Sequence, residues 1–257
     1  MVPAAYFLDE ERVPQEFPFF GRGDIQKQMQ IIRKHFRRHE EFARATATTM
    51  FSRFQEVEPL KLEANYLQTS YLENKGDGTF LFSALPTEAQ FAPIYGMAAG
   101  DFNQDGHLDV LLSGNDYGME VSMGRHDAFN GLLLLGNGEG DFQPTSMQES
   151  GVVIPQDAKS LVRVATNNGD VWVAGQNGGQ LKFLQSPNSF NQPIAIQPLD
   201  AYAILTTNSG TSYRHEFYYG HTFLSQSSRI FFPPENIQQL EIFQFSGTSR
   251  IVNSEAN

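Results

Sequence analysis

Near the start of the chain, apolar positions recur at the spacing of an α-helix. Four apolar residues separated by four, three and four positions share one helical face: Ile25, Met29, Ile32 and Phe36. Asp24 directly precedes them and is suited to cap a helix N-terminus. A second helical stretch covers about residues 43–54 and ends before Pro59. The pattern predicts a helical pair or one bent helix over residues 24–56, after an irregular lead-in over residues 1–23.

After Leu60 the pattern changes to short alternating runs separated by Gly, Asn and Asp, which is typical of an all-β region. Two turns are near copies, N-K-G-D-G-T-F at residues 74–80 and G-N-G-E-G-D-F at residues 136–142, and they lie 62 residues apart. The same offset aligns residues 109–115 with residues 171–177. A repeat of strand, glycine-rich hairpin and strand predicts a propeller or a similar β-array, in which neighbouring units cover each other's faces.

The pattern changes again from about Pro198. It predicts four further strands at residues 201–207, 213–219, 229–232 and 240–245. A tight connection is expected at residues 233–236 and a frayed end at residues 253–257. The fold class is therefore expected to be mainly β, with partial propeller-like blades and a C-terminal β-region preceded by a short α-helical segment.

Composition narrows the possible partners. The formal net charge is -11, and a nucleic-acid binder or a polybasic lipid-binding surface would need a cationic face. The sequence contains no Cys, which excludes disulfides and thiolate metal sites, and no apolar run approaches the ~18 residues that span a bilayer. We therefore expect no nucleic-acid partner and no membrane span. The first residues do not form a signal peptide, so the chain is expected to be cytoplasmic or a piece of a longer exported protein.

Residues 100–109, G-D-F-N-Q-D-G-H-L-D, carry the clearest candidate chemistry. Side-chain oxygens stand at loop positions one, three, five and nine: Asp101, Asn103, Asp105 and Asp109. Gly106 suits a sharp turn, and the backbone carbonyl of His107 is a fifth donor. Calcium prefers about six to eight oxygens, so the spacing predicts one Ca²⁺ site completed by water. The alternative is a plain Asp/Asn/Gly turn without an ion.

This loop differs from an EF-hand and has no second copy. Loop position twelve is Leu112 where an EF-hand has Glu, and an apolar strand follows where an EF-hand has a helix. At the offset of 62, the four ligand positions become Arg163, Ala165, Asn167 and Val171. We therefore expect one calcium site and not two.

At this loop the sequence resembles the FG-GAP/VCBS repeat family, whose repeats form β-propeller blades, including those of the integrin alpha-subunit head. The family holds calcium in a D-x-[DN]-x-D-G-x-x-D loop, which residues 101–109 match at every ligand position. The hairpins at residues 74–80 and 137–142 resemble the third and fourth strands of such blades. The resemblance implies a calcium-binding propeller region over residues 57–197, between the helical segment at 1–56 and a C-terminal region at 198–257.

The tail resembles a second family. Residues 217–229, F-Y-Y-G-H-T-F-L-S-Q-S-S-R, are similar to the ASPIC/UnbV segment of bacterial cartilage-acidic-protein-like proteins, which are large and exported. A full propeller needs about six or seven blades, and this chain has room for only two or three. The resemblance therefore implies the C-terminal part of a larger protein, outside the cell or at the outer membrane of a bacterium, with missing N-terminal blades as a partner. The alternative is an open β-array that is closed by partners.

These observations favour a non-enzymatic, calcium-stabilised module that binds a protein or a glycan, or serves as a scaffold, at the cell surface. One alternative is an enzyme acting on polysaccharide, with a carboxylate pair among Asp116, Glu120 and Asp127. Another is a purely structural C-terminal domain.

Several other residues are not expected to take part in catalysis or metal binding. The three His-acid pairs lack a second ligand at metal spacing and are interpreted as surface residues: His39-Glu40, His126-Asp127 and His215-Glu216. The basic positions at 27–38 are interpreted as a solvated helix face, and Trp172 as a core residue. Ser225, Ser227 and Ser228 are interpreted as a polar turn that binds backbone groups.

Overall fold

The computed structural model describes residues 2–54, 60–103, 105, 107–121, 123–166, 169–185, 193–208, 210, 212–220, 222–233 and 237–252. The chain divides into two compact units, Met1–Tyr66 and Leu67–Asn257. Over the described residues it forms seventeen strands and five short α-helices, and no sheet closes into a barrel. The expected mainly β class is confirmed. No helix in this part of the chain is long and apolar enough to cross a membrane.

The first unit begins with a β-hairpin where an irregular lead-in was expected. Strands β1 (Ala4–Leu8) and β2 (Pro14–Pro18) pair antiparallel. The carboxylate of Asp9 accepts hydrogen bonds from two backbone N–H groups and closes the turn. The prolines obscured this hairpin in the sequence, but they lie at the ends of a strand, where the missing N–H is tolerated.

Four short helices follow where one pair or one bent helix was expected: α1 (Arg22–Gln28), α2 (Ile32–His35), α3 (His39–Ala43) and α4 (Ala47–Ser52). The N-cap of α1 is Gly21, so the assignment of Asp24 as a cap is wrong. Asp24 lies in the first turn and pairs with Lys27. Residues 55 and 56 lie outside the described residues.

The apolar face predicted for this region is nevertheless correct. Ile25, Ile32 and Phe36 are buried together, and Met29 packs against them. The core of the first unit also contains Phe42, Ala45, Met50 and Phe54.

The second unit is built from antiparallel hairpins and sheets. Its first part contains β3 (Ser70–Asn74), β4 (Phe80–Ala84), β5 (Ile94–Gly100), β6 (Asp109–Gly114), β7 (Leu132–Gly136), β8 (Phe142–Pro144), the helix α5 (Met147–Ser150), β9 (Ala158–Thr166), β10 (Gly169–Gln176) and β11 (Lys182–Gln185). Strands β3 and β4 form a hairpin, β5 to β8 form a four-stranded first sheet in sequence order, and β9 to β11 form a three-stranded second sheet.

The internal repeat corresponds to repeated structure. Asn74 pairs with Phe80 across the first glycine-rich turn, and Gly136 pairs with Phe142 across the second. An offset of 62 residues carries β3 onto β7, β4 onto β8, and β6 onto the C-terminal part of β10. The two sequence matches therefore mark equivalent strands and turns.

Two hydrophobic clusters of the second unit lie on opposite faces of the first sheet. One lies between the first and second sheets and contains Leu111, Leu161 and Trp172, with the ring of Phe102 5.7 Å from that of Trp172. Trp172 is 6% exposed, so its predicted role in the core is confirmed. The other cluster contains Leu112 and Leu134.

The remaining strands are β12 (Ile194–Ala195), β13 (Asp200–Thr207), β14 (Ser212–Glu216), β15 (Ile230–Phe231), β16 (Ile237–Gln244) and β17 (Ser249–Val252). Strands β14, β13, β16 and β17 form a four-stranded tail sheet, and β12 pairs with β15. The four predicted tail strands are confirmed, with β17 in addition. Residues 234–236 and 253–257, where a tight turn and a frayed end were expected, lie outside the described residues.

The tail also caps the edge of the second sheet. The hydroxyl of Ser225 accepts the N–H of Leu161 at 2.9 Å, and that of Ser227 accepts the N–H of Arg163 at 3.0 Å. These N–H groups belong to the edge strand β9, which would otherwise expose them to another strand. The expectation that these serines bind backbone groups is confirmed for Ser225 and Ser227.

Candidate functional site

The candidate calcium loop joins β5 to β6 in the first sheet. Gly100 and Asp109 are paired at its base, so the two strands fix where the loop begins and ends. Gly106, the predicted turn residue, and Gln104 lie outside the described residues.

The first half of the loop is organised around the backbone N–H of Asp105. That N–H donates to Oδ1 of Asn103 at 3.0 Å and to Oδ1 of Asp101 at 3.2 Å. Two predicted ligand oxygens therefore approach the same point. Asn103 and Asp105 are exposed, and Asp101 is half-buried.

The carboxylate of Asp105 is oriented by the loop itself. Its Oδ1 accepts the N–H of His107 at 2.8 Å, and its Oδ2 accepts the amide of Asn103 at 2.8 Å. The hydrogen bond from the His107 N–H is the largest of the effects that lower the pKa of Asp105. The group is therefore held in its ionised form, which a hard cation requires of a ligand.

Asp109 differs from the other ligand candidates because it is fully buried. Its Oδ2 accepts the N–H groups of Phe102 at 2.8 Å and Asn103 at 3.3 Å. Its Oδ1 accepts the N–H of Gly136, on β7, at 3.0 Å. Burial raises the pKa of Asp109, while the three N–H donors act in the opposite direction. Asp109 thus ties the start of the loop to the sheet.

The far end of the loop packs on the second glycine-rich turn. A Cβ on Gly136 would lie 2.2 Å from the carbonyl oxygen of Leu108, and one on Gly138 would lie 2.4 Å from Nδ1 of His107. A side chain at position 136 would therefore displace the loop backbone, whereas one at position 138 would displace the ring of His107. Sequence reasoning identified this turn but missed that it supports the loop; the glycine pair in the motif was the available clue.

The donor set suits a hard cation in its chemistry, since every side chain offers oxygen. Within the described residues, however, no three His, Cys, Asp or Glu side chains gather closely enough to hold a metal ion. At the offset of 62, Arg163 lies on β9 and Val171 on β10, while Asn167 is outside the described part of the chain.

The carboxylates proposed for the enzymatic alternative lie beyond β6. Oδ2 of Asp116 accepts the hydroxyl of Tyr95 at 2.8 Å, and its Oδ1 lies 3.2 Å from the ammonium of Lys159. Hydrogen bonds from the Gly118 N–H, from Tyr95 and from Lys159 lower the pKa of Asp116. Glu120 and Asp127 are exposed. A general acid would need a raised pKa, which Asp116 does not have.

Lys159 is the centre of a polar cluster that sequence reasoning missed. Its ammonium lies 2.9 Å from the buried carboxylate of Asp157, 3.0 Å from the carbonyl of Asn115 and 3.7 Å from the centre of the Tyr95 ring. Each charge has a partner of opposite sign, so the cluster has the character of a structural link between the first and second sheets.

The other sequence candidates have ordinary surroundings. His215 is exposed at the surface, but its ring centre lies 4.6 Å from that of Phe231, and the desolvation that this packing causes lowers its pKa. His215 is therefore partly a packing residue and not only a surface one. His39 is exposed and contacts Arg22, and His126 is half-buried and pairs with Asp116 through the backbone.

Comparison with known proteins identifies one segment. The model of the FG-GAP-like repeat matches residues 63–112, which include β3 to β5, the whole candidate loop and the first part of β6. No curated protein matches the chain. The comparisons give no support to the resemblance between the tail and the ASPIC/UnbV segment. The chain contains an FG-GAP-like repeat at residues 63–112.

Proposed function

We propose that this chain is a non-enzymatic, calcium-stabilised β-repeat module whose rigid loops bind a protein or a glycan. The observation that carries the proposal is the loop from Asp101 to Asp109. It lies inside the FG-GAP-like repeat, presents oxygen donors at the surface and is fixed to the sheet at its base.

Calcium would be held by side-chain oxygens of Asp101, Asn103 and Asp105, by the carbonyl of His107 and by Asp109. Bound there, it would neutralise the charges of the three carboxylates as they come together around it. Contacts within the chain would also keep the loop rigid. Asp109 holds the base, and the turn at Gly136 and Gly138 supports the far end.

The same proposal includes a propeller-like arrangement of the sheets. The four-stranded first sheet and the second sheet would be successive blades of a propeller-like array, and the β3–β4 hairpin would be the outer half of the preceding blade. The equivalent positions at the offset of 62 and the packing of one sheet on the next support this interpretation. Exposure of the module at a bacterial cell surface, as part of a larger protein, rests on the family resemblance alone.

The proposal is tested by thermal unfolding in EDTA and in millimolar calcium, followed by the fluorescence of Trp172, the single Trp of the chain. Calcium at about 100 times its dissociation constant adds about 2.7 kcal/mol to the free energy of unfolding. For a unit of this size we expect the melting temperature to rise by about 5–10 °C. Asp105→Ala should abolish the rise, whereas an unchanged melting temperature in the native chain would refute the calcium site.

A further inference from the structure

A cavity of about 790 Å³, here called the inter-sheet cleft, lies between the first and second sheets. Cavities that hold small ligands usually have volumes of about 300–1,000 Å³. Leu111, Leu133 and Trp172 line its interior, and all three belong to the hydrophobic cluster that joins the two sheets. The inter-sheet cleft is therefore the part of the space between the sheets that their own side chains leave unfilled.

Strand pairing shows which side chains of the first sheet form one wall of the cleft. Leu111 pairs with Leu133, and Leu135 pairs with Gln143. Because side chains alternate along a strand, Leu133 and Leu135 lie on the same face of β7. The paired residues share that face, so all four side chains point from the first sheet toward the second.

The opposite wall comes from the second sheet and from the candidate calcium loop. Trp172 pairs with Leu184, and both pack in the cluster between the sheets. Phe102 and Asn103, at the start of the loop, also line the cleft. The indole Nε1 of Trp172 is buried and has no hydrogen-bond partner within the described part of the chain. Buried donors normally have a partner, so we expect an acceptor at this wall when the cleft is filled.

The cleft combines its apolar interior with polar groups and a single charge. Its lining includes Asn103, Gln143, Thr145 and Glu149. Glu149 is the one charged residue among the described residues that line it, and hydrogen bonds from Ser146 lower the pKa of its carboxyl. An ionised carboxylate without a neighbouring cation repels anions. The lining therefore favours an uncharged ligand that is apolar on one side and polar on the other.

We propose that the inter-sheet cleft binds a short uncharged oligosaccharide, which rests on the proposed function in that the ligand is a glycan. A sugar ring presents an apolar C–H face to leucine and aromatic side chains. Its hydroxyls donate to and accept from amide, hydroxyl and carboxylate groups of the kind found in the lining. Binding in the cleft does not require a bound calcium ion.

A peptide, including a further segment of a longer chain, fits the interior of the cleft less well. An extended peptide usually pairs its backbone N–H and C=O groups with the free edge of a strand, and such groups are costly to bury without partners. Leu111, Leu133 and Trp172 belong to β6, β7 and β10, which have a partner strand on each side. The interior therefore offers side chains to a ligand, and few free backbone groups.

The test is titration of the full chain with three neutral trisaccharides, cellotriose, maltotriose and laminaritriose, in calcium and in EDTA. Binding is followed by calorimetry and by the fluorescence of Trp172, the single Trp of the chain. Titration to about 10 mM detects a dissociation constant of about 1 mM, which is a weak specific affinity. We expect saturable binding of at least one trisaccharide and none of trigalacturonic acid, whose carboxylates would meet Glu149.

Two variants locate the binding in the cleft. Gln143→Ala removes an amide from an exposed position on its wall and should weaken binding by about twofold to tenfold, the contribution of one neutral hydrogen bond. Leu135→Trp places a larger side chain in the cleft and should weaken binding about tenfold or more, measured by calorimetry. Gln239→Ala is the matched control, since Gln239 is exposed on β16 of the tail sheet and should leave binding unchanged.

Circular dichroism first establishes that each variant is folded, and Gln143→Trp replaces Leu135→Trp should the latter fail to fold. A chain that binds none of the three trisaccharides would overturn the proposal, even if calcium raised its melting temperature, and would favour a peptide as the occupant. Sugar binding that the cleft variants leave unchanged would overturn it equally. Sugar binding that the variants weaken, in a chain whose melting temperature ignores calcium, would support the cleft and refute only the calcium site.

Discussion

Replacing Asp109 with asparagine removes the charge of the residue that ties the candidate loop to the sheet. In the native chain one carboxylate accepts three backbone N–H groups, from Phe102, Asn103 and Gly136. An asparagine side chain has one oxygen acceptor and one NH₂ donor. However the amide is turned, its NH₂ faces at least one of these N–H donors. The variant therefore loses at least one charge-assisted hydrogen bond and leaves a buried donor unsatisfied.

The magnitude follows from these contacts. A hydrogen bond to a charged group contributes about 1.5–3 kcal/mol, and a buried donor without an acceptor costs about 1–3 kcal/mol. Part of this loss is offset, because burial of the ionised form is itself unfavourable, as the raised pKa of Asp109 indicates. We expect the free energy of unfolding to fall by about 2–3 kcal/mol, which lowers the melting temperature by about 5–10 °C.

The assay is thermal unfolding in excess EDTA, followed by the fluorescence of Trp172, which lies between the first and second sheets. Asp105→Asn is the matched control, because Asp105 is exposed and its hydrogen bonds are confined to the loop. We expect Asp105→Asn to melt close to the native chain in EDTA and to lose the rise produced by calcium. If Asp109→Asn melted like the native chain in EDTA, the anchoring role assigned to Asp109 would be wrong.

Three further predictions concern the glycine-rich turn and the C-terminal tail. Gly136→Ala should lower stability by roughly 1–3 kcal/mol in chemical denaturation, since the new Cβ would overlap the Leu108 carbonyl. Arg250→Gln should cost about 2–4 kcal/mol, because it leaves the buried Asp200 carboxylate unpaired. The Arg250 guanidinium lowers the pKa of Asp200, so the contribution of this pair is present above about pH 4 and is lost as the pH falls through the lowered pKa. The free energy of unfolding of Arg250→Gln should therefore fall less than that of the native chain as the pH is lowered. Ser225→Ala should accelerate hydrogen exchange at the β9 N–H it caps and cost about 1–2 kcal/mol.

The helical region shows what apolar spacing can and cannot predict. Ile25, Ile32 and Phe36 share one core as expected, because a spacing of three or four residues survives short breaks between helical turns. The breaks themselves were missed. Met29 and Phe36 end their helices in extended conformation, at φ -131 and φ -126 respectively, although both continue the apolar pattern.

The sequence also predicts the candidate loop only in part, but for a different reason. Spacing placed Asp101 to Asp109 between two strands, and the structure agrees. The partner of Asp109 at Gly136 is 27 residues away and becomes adjacent only when β6 pairs with β7. Local spacing contains no information on that register. The same applies to Lys159, whose carboxylate partners come from separate loops.

The hydrogen bonds of Asp109 also limit how it could bind an ion. A carboxylate offers about four lone-pair sites. Both sites on Oδ2 are used by N–H donors, and one of the two on Oδ1 is used by Gly136. Asp109 can therefore add at most one ligand without breaking a hydrogen bond. If Asp101, Asn103, Asp105 and the His107 carbonyl each add one more, the chain supplies five oxygens where calcium requires about six to eight. We therefore expect any calcium ion held by this loop to keep at least one water molecule, unless Asp101 or Asp105 binds through both of its oxygens.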